Sequence, residues 1–207
     1  DDWVWDTYRA THPLRILIEP EMELNMIESY LRMVDQSTDG WLPTFPEITG
    51  DSHRMNGNHG IIVFCDAYAK GMTGFDLQKA YVTSKATVLK KSILPWTKIK
   101  ATELDMFYRK NGYFPALSVG EAETVKEVTA EKRQAVAITL GASYDEWCLS
   151  RMAKLLNKDE DAEYFLKSSY NYRNLFNDTT KFFHPKDKNG KFIYPFDYRL
   201  SGGQGGR

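Results

Sequence analysis

The chain has 207 residues, which is enough for one large domain or two small ones, and its 42% hydrophobic content can support a substantial core. Its 27 basic and 28 acidic residues nearly cancel, which argues against nucleic acid as a partner, and the lysines from Lys85 to Lys100 are expected to form a solvated helix face. No run of about 18 apolar residues occurs, so the sequence predicts no membrane span.

The opening segment combines rings, a carboxylate and a guanidinium in Trp5-Asp6-Thr7-Tyr8-Arg9. A pyranose has hydroxyls in the ring plane and an apolar C–H face, so proteins bind it with charged side chains and a stacked aromatic ring. This segment is therefore a candidate sugar pocket. The alternative is a buried ion pair beside aromatic packing, and these residues alone do not decide between the two.

Hydrophobic periodicity predicts a series of amphipathic helices between stretches of loop. The predicted helices run over 20–34, 57–70, 75–93, 97–110, 132–156 and 160–176. Asp76 is a plausible N-cap for the third helix, and Gly71 and Gly112 are expected to end the second and the fourth. The segment 41–47 cannot be helical, because Pro43 and Pro46 restrict the backbone.

Two of these helix pairs are joined by short polar turns, at 70–72 and at 157–159. Helical hairpins stacked in series form a solenoid or, if the series closes, a toroid. Asn189-Gly190 lies between two aromatic segments and predicts a short β-hairpin near the C-terminus. The sequence thus indicates an all-α-dominated fold made of helical hairpins with a β-hairpin insert.

Other polar residues and both thiols have simpler interpretations. Cys65 and Cys148 lie in apolar helical patterns and are predicted to be buried free thiols, with no sign of a disulfide framework or a zinc site. His12 is expected to be a structural hydrogen-bonding residue. Trp147 is expected in the core, and the neighbouring Asp145 could orient an arginine such as Arg9.

A possible local acid-base or metal site combines Glu47, Asp51, His53 and His59. The spacing of these four residues fits no standard metal motif. We therefore expect Glu47 and Asp51 to lie on the loop surface or to contact sugar.

Six segments along the chain resemble the catalytic domain of glycoside hydrolase family 92, the calcium-dependent exo-acting α-mannosidases. They are Trp5-Asp6-Thr7-Tyr8-Arg9 with His12-Pro13-Leu14, Gly40-Trp41-Leu42-Pro43, Met55-Asn56-Gly57-Asn58-His59, Asp66-Ala67-Tyr68-Ala69-Lys70-Gly71, Gly112-Tyr113 with Pro115, and Tyr144-Asp145-Glu146-Trp147-Cys148 ahead of Met152-Ala153-Lys154. Each segment is weak alone, but six in this order and spacing span nearly the whole chain.

The resemblance implies that residues 1–207 are part of an (α/α)6 toroid, an internal piece of a catalytic domain that follows a β-sandwich domain. Both ends of the chain look like cuts through a longer protein. The family inverts anomeric configuration, with a glutamic acid as general acid and an aspartate pair activating water, and inversion requires two carboxyl groups about 6.5 to 9.5 Å apart. Those motifs are expected beyond Arg207, so the chain would hold no catalytic residue and would be inactive alone.

The resemblance also assigns part of the terminal-mannose pocket to this chain. Asp6 would accept hydrogen bonds from sugar hydroxyls and Trp5 would wall the ring. Arg9 would also bind substrate, and Asn58 and His59 would face the same cavity. Calcium is the implied cofactor, its ligands in this chain remaining unassigned. Mannose-containing glycans, such as N-glycans or mannans, and the remaining segments of the domain are the implied partners, and a periplasmic, cell-surface or secreted location is implied.

A different class of protein also fits the hairpins and the aromatic content. A non-catalytic helical-repeat module could bind a glycan or a protein through its concave face. Such a solenoid needs polar capping units at its ends, and this sequence shows none. A partial toroid would expose apolar helix faces, so we expect the isolated chain to associate or to be only marginally stable.

Overall fold

A computed structural model of the chain describes residues 1–37, 39–197 and 199, so the glycine-rich stretch 201–207 lies outside the described residues. The described part is helix-rich. Its α-helices are α1 Val4–Thr7, α2 Thr11–Ile18, α3 Pro20–Gln36, α4 Gly60–Ala69, α5 Leu77–Lys90, α6 Glu103–Asn111, α7 Ala135–Leu155 and α8 Asp159–Ser168. Asn171–Leu175 adds a 3₁₀ turn after α8.

Local capping explains where several predicted helices begin and end. The Asp76 side chain accepts a hydrogen bond from the Lys79 backbone N–H and starts α5, as the sequence predicted. A reciprocal capping box between Thr102 and Asp105 starts α6 at Glu103, six residues later than the predicted start at Thr97. Gly112 ends α6 in the left-handed conformation, with φ of 75°.

Two further helices begin later or end earlier than predicted. Gly57 has a φ of 85°, so the segment after it stays in a loop and α4 begins only at Gly60. The helix predicted over 160–176 ends at Ser168 and continues as the 3₁₀ turn. In the second case the apolar pattern extends beyond the helix because Leu175 of the 3₁₀ turn is fully buried.

The sequence reasoning missed the two helices of the opening segment, α1 and α2, and a small antiparallel pair, β1 Pro46–Glu47 with β2 Gly50–Asp51. Pro13 lies in the first turn of α2, where its missing N–H is tolerated. Four residues in α1 are too few for periodicity to reveal a helix.

The aromatic C-terminal part contains short β pairings. β3 Phe176–Asn177 pairs antiparallel with β4 Phe182–Phe183. Lys186 and Phe192 form an isolated bridge across the turn at Asn189-Gly190, in the region of the predicted hairpin.

The core forms two clusters. The larger surrounds α4 and the second half of α7, where Phe64 and Leu149 are fully buried, and it includes both thiols, which are free and buried as predicted. The smaller joins α6 and the first half of α7 around Phe114 and Ile138. Helix α7 contributes to both clusters and packs against α4, α5 and α8, so it is the central element of the described chain.

One core prediction is wrong. Trp147 is 43% exposed on α7, as is Tyr144, because the inward face of this helix is occupied by residues such as Cys148 and Leu149. The two exposed rings lie 6.3 Å apart by their centroids. The described chain therefore leaves an aromatic strip of α7 uncovered.

Candidate functional site

The most connected polar group in the site region is Asp145, on α7. Its Oδ1 lies 2.8 Å from Nδ1 of His59, and its Oδ2 accepts the Asn58 backbone N–H at 2.8 Å. Asp145 is 1% exposed, and Asn58 and His59 are 4% and 5% exposed. A single buried carboxylate thus fixes the loop before α4 to the middle of α7.

Two glycines leave room for the His59 ring. A Cβ placed on Gly57 would lie 2.6 Å from both Cε1 and Nε2 of His59, and one on Gly141 would lie 3.5 Å from Cε1. On another side the ring contacts Tyr8, with ring centroids 4.4 Å apart. His59 is therefore held by its hydrogen bond with Asp145, by its contact with the Tyr8 ring and by the close approach of the Gly57 and Gly141 backbone.

The candidate sugar-binding residues of the opening segment lie next to the contact between Tyr8 and His59. The guanidinium of Arg9 lies over the Trp5 ring, 4.5 Å from its centroid, and 5.1 Å from the centroid of Tyr8. The Trp5 indole N–H points at Oδ1 of Asn56 at 3.4 Å. The structure therefore brings α1 and the loop 55–59 together, although about 50 residues separate them.

The five predicted substrate-binding residues fall into an accessible group and a buried group. Asp6 and Arg9 are exposed and Trp5 is half-buried, so they form an accessible polar and aromatic face. Asn58 and His59 lie behind that face as buried residues. Asp145 contacts these buried residues, and no contact joins it to Arg9 in the described structure, so its predicted role of orienting Arg9 is replaced by the pairing with His59.

Lys91, directly after α5, is hydrogen-bonded to Asn58 in the loop before α4. Its ammonium group donates to Oγ1 of Thr44 at 2.8 Å and to Oδ1 of Asn58 at 3.4 Å. Burial removes it from water and lowers the pKa of Lys91 to about 8, against the opposing attraction of Asp51 and Asp145. Sequence reasoning placed this lysine on a solvated face, and that prediction is wrong because the side chain is 4% exposed.

The four residues considered as a local metal or acid-base site are largely used by the loop itself. Asp51 accepts the backbone N–H groups of Thr44, Phe45 and His53, at 3.0, 2.8 and 3.0 Å. Burial would raise the pKa of Asp51, but the hydrogen bonds from His53 and the backbone hold it well below the usual range. Asp51 therefore shapes the loop, while His59 pairs elsewhere with Asp145.

A second buried carboxyl lies on α7 beside Asp145. Glu146 accepts a hydrogen bond from the Tyr108 hydroxyl at 2.9 Å. Burial raises the pKa of Glu146 to about 8, because its effect outweighs that of the Tyr108 hydrogen bond, which lowers the pKa. Glu146 and Asp145 both line a small cavity between α5, α6 and α7. The two adjacent carboxyl groups differ in their surroundings. Asp145 is hydrogen-bonded to two groups of the loop, whereas burial favours the neutral form of Glu146.

Calcium is the cofactor that the resemblance implies. Calcium takes six to eight oxygen ligands. Both oxygens of Asp145 are already occupied by loop donors. Within the described ranges, no group of three or more His, Cys, Asp or Glu side chains is arranged to hold a metal ion.

Some residues of the site were not predicted from the sequence. Tyr8 and Asn56 lie within segments singled out for their resemblance, yet their contacts with His59 and Trp5 depend on the fold. Asp145 was noticed in Tyr144-Asp145-Glu146-Trp147 and given the wrong partner. One feature of the sequence could have indicated the pairing: Asp145 lies within a mostly apolar helix, and His59 directly precedes another.

The chain is thus a helix-rich protein whose candidate site combines an accessible polar and aromatic face, Trp5, Asp6 and Arg9, with the buried Asp145–His59 pair. Residues 1–206 match the glycosyl hydrolase family 92 catalytic domain. The chain therefore belongs to glycosyl hydrolase family 92. A comparison with curated proteins gave no match.

Solved structures of this family resemble the chain. One is the family GH92 α-mannosidase BT3965 from Bacteroides thetaiotaomicron in complex with mannoimidazole, with 29% identity, a TM-score of 0.77, and coverage of 94% of this chain and 23% of that one. Another is the family GH92 inverting mannosidase BT2199 from Bacteroides thetaiotaomicron VPI-5482, with 29% identity, a TM-score of 0.78, and coverage of 95% and 24%. The chain thus spans about a quarter of the length of these relatives.

Proposed function

We propose that this chain is part of the catalytic domain of an inverting exo-α-mannosidase, and that it supplies part of the pocket for a terminal mannose. The observation that carries the proposal is the accessible face of Trp5, Asp6 and Arg9, fixed against the Asp145–His59 pair. Family membership and the resemblance to two mannosidases support it.

In this proposal, each residue would bind the sugar through the chemistry of its side chain. The Asp6 carboxylate is exposed and can accept hydrogen bonds from two hydroxyls, while Arg9 can donate to others in the same plane. The half-buried Trp5 ring offers an apolar surface for the C–H face of a pyranose. His59 and Asn58 hold Tyr8 and the loop behind that face.

The larger assembly belongs to the same proposal. The helical hairpins would form part of an (α/α)6 toroid, preceded by a β-sandwich domain and completed by segments that carry the general acid and base. Calcium would serve as cofactor, held mainly by those other segments. The substrates would be N-glycans or mannans, and the location would be periplasmic, cell-surface or extracellular.

Mutation of Asp6 in the full-length parent enzyme tests the pocket assignment. We expect Asp6→Asn to lower kcat/KM for α-mannobiose about 10- to 100-fold, because a hydrogen bond to a charged group contributes about 1.5–3 kcal/mol. The matched control is Asp66→Asn, which removes a partly exposed carboxylate paired with Lys70 on α4. Equal kcat/KM values for the two variants would remove Asp6 from the pocket.

The parent activity is tested by mannose release with calcium and then with a chelator. Release that the chelator abolishes supports a calcium-dependent mannosidase. Absence of release from the full-length protein would favour the alternative, a helical module that binds glycans or proteins without catalysis. Membership in a family of catalytic domains favours the hydrolase.

A further inference from the structure

The helix that presents the candidate sugar-binding residues cannot hold its own position. Helix α1 has four residues, and a single helical turn is unstable in isolation. Val4 is its one buried residue, while Trp5 is half-buried and Asp6 is exposed. The orientation of this turn must therefore come from contacts with the rest of the chain.

A buried polar cluster lies against α1. His12 on α2 is 1% exposed, and its Nε2 and Nδ1 lie 2.8 Å from Oδ2 of Asp2 and 2.7 Å from Oε1 of Glu23. The Tyr30 hydroxyl on α3 also donates to Asp2. We refer to Asp2, His12, Glu23 and Tyr30 as the His12 cluster.

The His12 cluster is joined directly to both ends of α1. The Thr7 hydroxyl, at the last residue of α1, donates to Oδ1 of Asp2 at 2.8 Å. The Asp2 backbone N–H donates to the Pro46 carbonyl at 2.8 Å, which ties the start of the segment to β1. Asp2 therefore connects the turn to α2, α3 and β1 at once.

Charge and burial agree with this role. Burial alone would lower the pKa of His12, but the hydrogen bonds with Asp2 and Glu23 raise it to about 9, so the ring is protonated at neutral pH and both N–H groups donate. The groups that face it are Asp2 before α1 and Glu23 and Tyr30 on α3, with Arg15 of α2 acting on Tyr30. Replacing a buried ion pair by apolar packing is often neutral or stabilising, so net stability alone does not account for this cluster.

We propose that His12 is a positioning residue for sugar binding: through Asp2 and Thr7 it fixes the orientation of α1 and hence the presentation of Trp5 and Asp6. The link to sugar rests on the proposed function. The positioning of α1 itself is independent of it.

The test compares His12→Gln with His184→Gln in the full-length parent protein. His184 is a buried histidine in the C-terminal hairpin region and serves as the matched control. Hydrogen exchange reports on α1 through the amides of Asp6, Thr7 and Tyr8, which bond to the Trp3 and Val4 carbonyls. At equal global stability, we expect these amides to exchange about tenfold faster or more in His12→Gln alone.

The enzymatic measurement separates binding from chemistry. We expect His12→Gln to raise KM for α-mannobiose more than it lowers kcat, with kcat/KM falling about tenfold or more. Thr7→Val removes the hydroxyl that α1 donates to Asp2 and leaves His12 in place, so it should give the same pattern if His12→Gln fails to fold.

Each outcome is informative. Unchanged exchange in both His12→Gln and Thr7→Val overturns the positioning role. Faster exchange with unchanged KM overturns the link to sugar binding. If the wild-type parent releases no mannose, the proposed function fails, and the exchange data still decide whether His12 positions α1.

Discussion

Lys91 shows how one buried side chain can set the response of the fold to pH. Its pKa is lowered from 10.5 to about 8, so between these values the unfolded chain binds more protons than the folded chain. The free energy of unfolding is therefore expected to rise with pH over this window, by up to about 1.4 kcal/mol per pH unit.

The variant Lys91→Met tests this expectation. It lacks the titrating group, so the rise in stability between pH 8 and 10.5 should disappear in urea unfolding curves. Lys90→Met is the matched control because Lys90 is exposed at the adjacent position. An unchanged slope in Lys91→Met would show that Lys91 is charged and solvated in the folded state.

Glu146 gives the opposite dependence on pH. Its pKa is raised from 4.5 to about 8, so the folded chain binds more protons in this window and the free energy of unfolding falls as pH rises from 4.5 to 8. Glu146→Gln keeps an acceptor for the Tyr108 hydroxyl and has no charge to bury.

We therefore expect Glu146→Gln to be more stable than the wild type above pH 8, with a flatter stability profile from pH 5 to 8. The measurement is urea unfolding at pH 5, 7 and 9. Glu163→Gln, on the exposed face of α8, is the control and should follow the wild type. A wild-type-like decline in Glu146→Gln would assign the pH dependence to other groups.

At the scale of elements, the loop from Gly57 to His59 illustrates how backbone and packing act together. Gly57 has a φ of 85°, and a Cβ at this position would lie 2.6 Å from the His59 ring. Gly71 has a φ of 91°, and a Cβ there would meet nothing within 4 Å. The two glycines therefore share the backbone conformation and differ in packing.

We expect Gly57→Ala to destabilise the chain more than Gly71→Ala, by about 1–3 kcal/mol, because only the first substitution displaces the His59 ring. Thermal or urea unfolding of the two variants measures the difference. Equal losses would mean that backbone strain alone accounts for the glycine at position 57.

The elements also show which parts of the fold could be predicted from the sequence. Helices α3, α5 and α7 were predicted within a few residues, because apolar periodicity and caps such as Asp76 are local. Helix α1 was missed because four residues are too few to show apolar periodicity, and the bond from its Thr7 hydroxyl to Asp2 is not visible in the sequence. The later start of α6 depends on the Thr102–Asp105 capping box, which the pattern of apolar residues does not reveal.

At the scale of the whole molecule, apolar side chains remain uncovered. Leu14, Leu17 and Ile18 on α2 are 54%, 70% and 63% exposed. Within the described residues, no helix is long and apolar enough to cross a bilayer. Exposed apolar surface of this kind favours association between chains.

We therefore expect the isolated chain to self-associate, as light scattering after size-exclusion chromatography would show. The double variant Leu17→Lys and Ile18→Lys should reduce the associated fraction, while Lys90→Met should not. A monodisperse monomer with a sharp two-state melt would contradict this expectation.

By itself, the sequence determined the helix-rich class, the family and the segments that carry the candidate site, since these follow from local periodicity, caps and short motifs. Only the tertiary structure decided which of these residues meet. Asp145 pairs with His59 across 86 positions, Lys91 is buried beneath Asn58, and Trp147 faces outward instead of into the core. The physical reason is that a side chain's hydrogen-bond partners, its burial and its pKa shift depend on how distant segments pack. Local periodicity does not specify that packing.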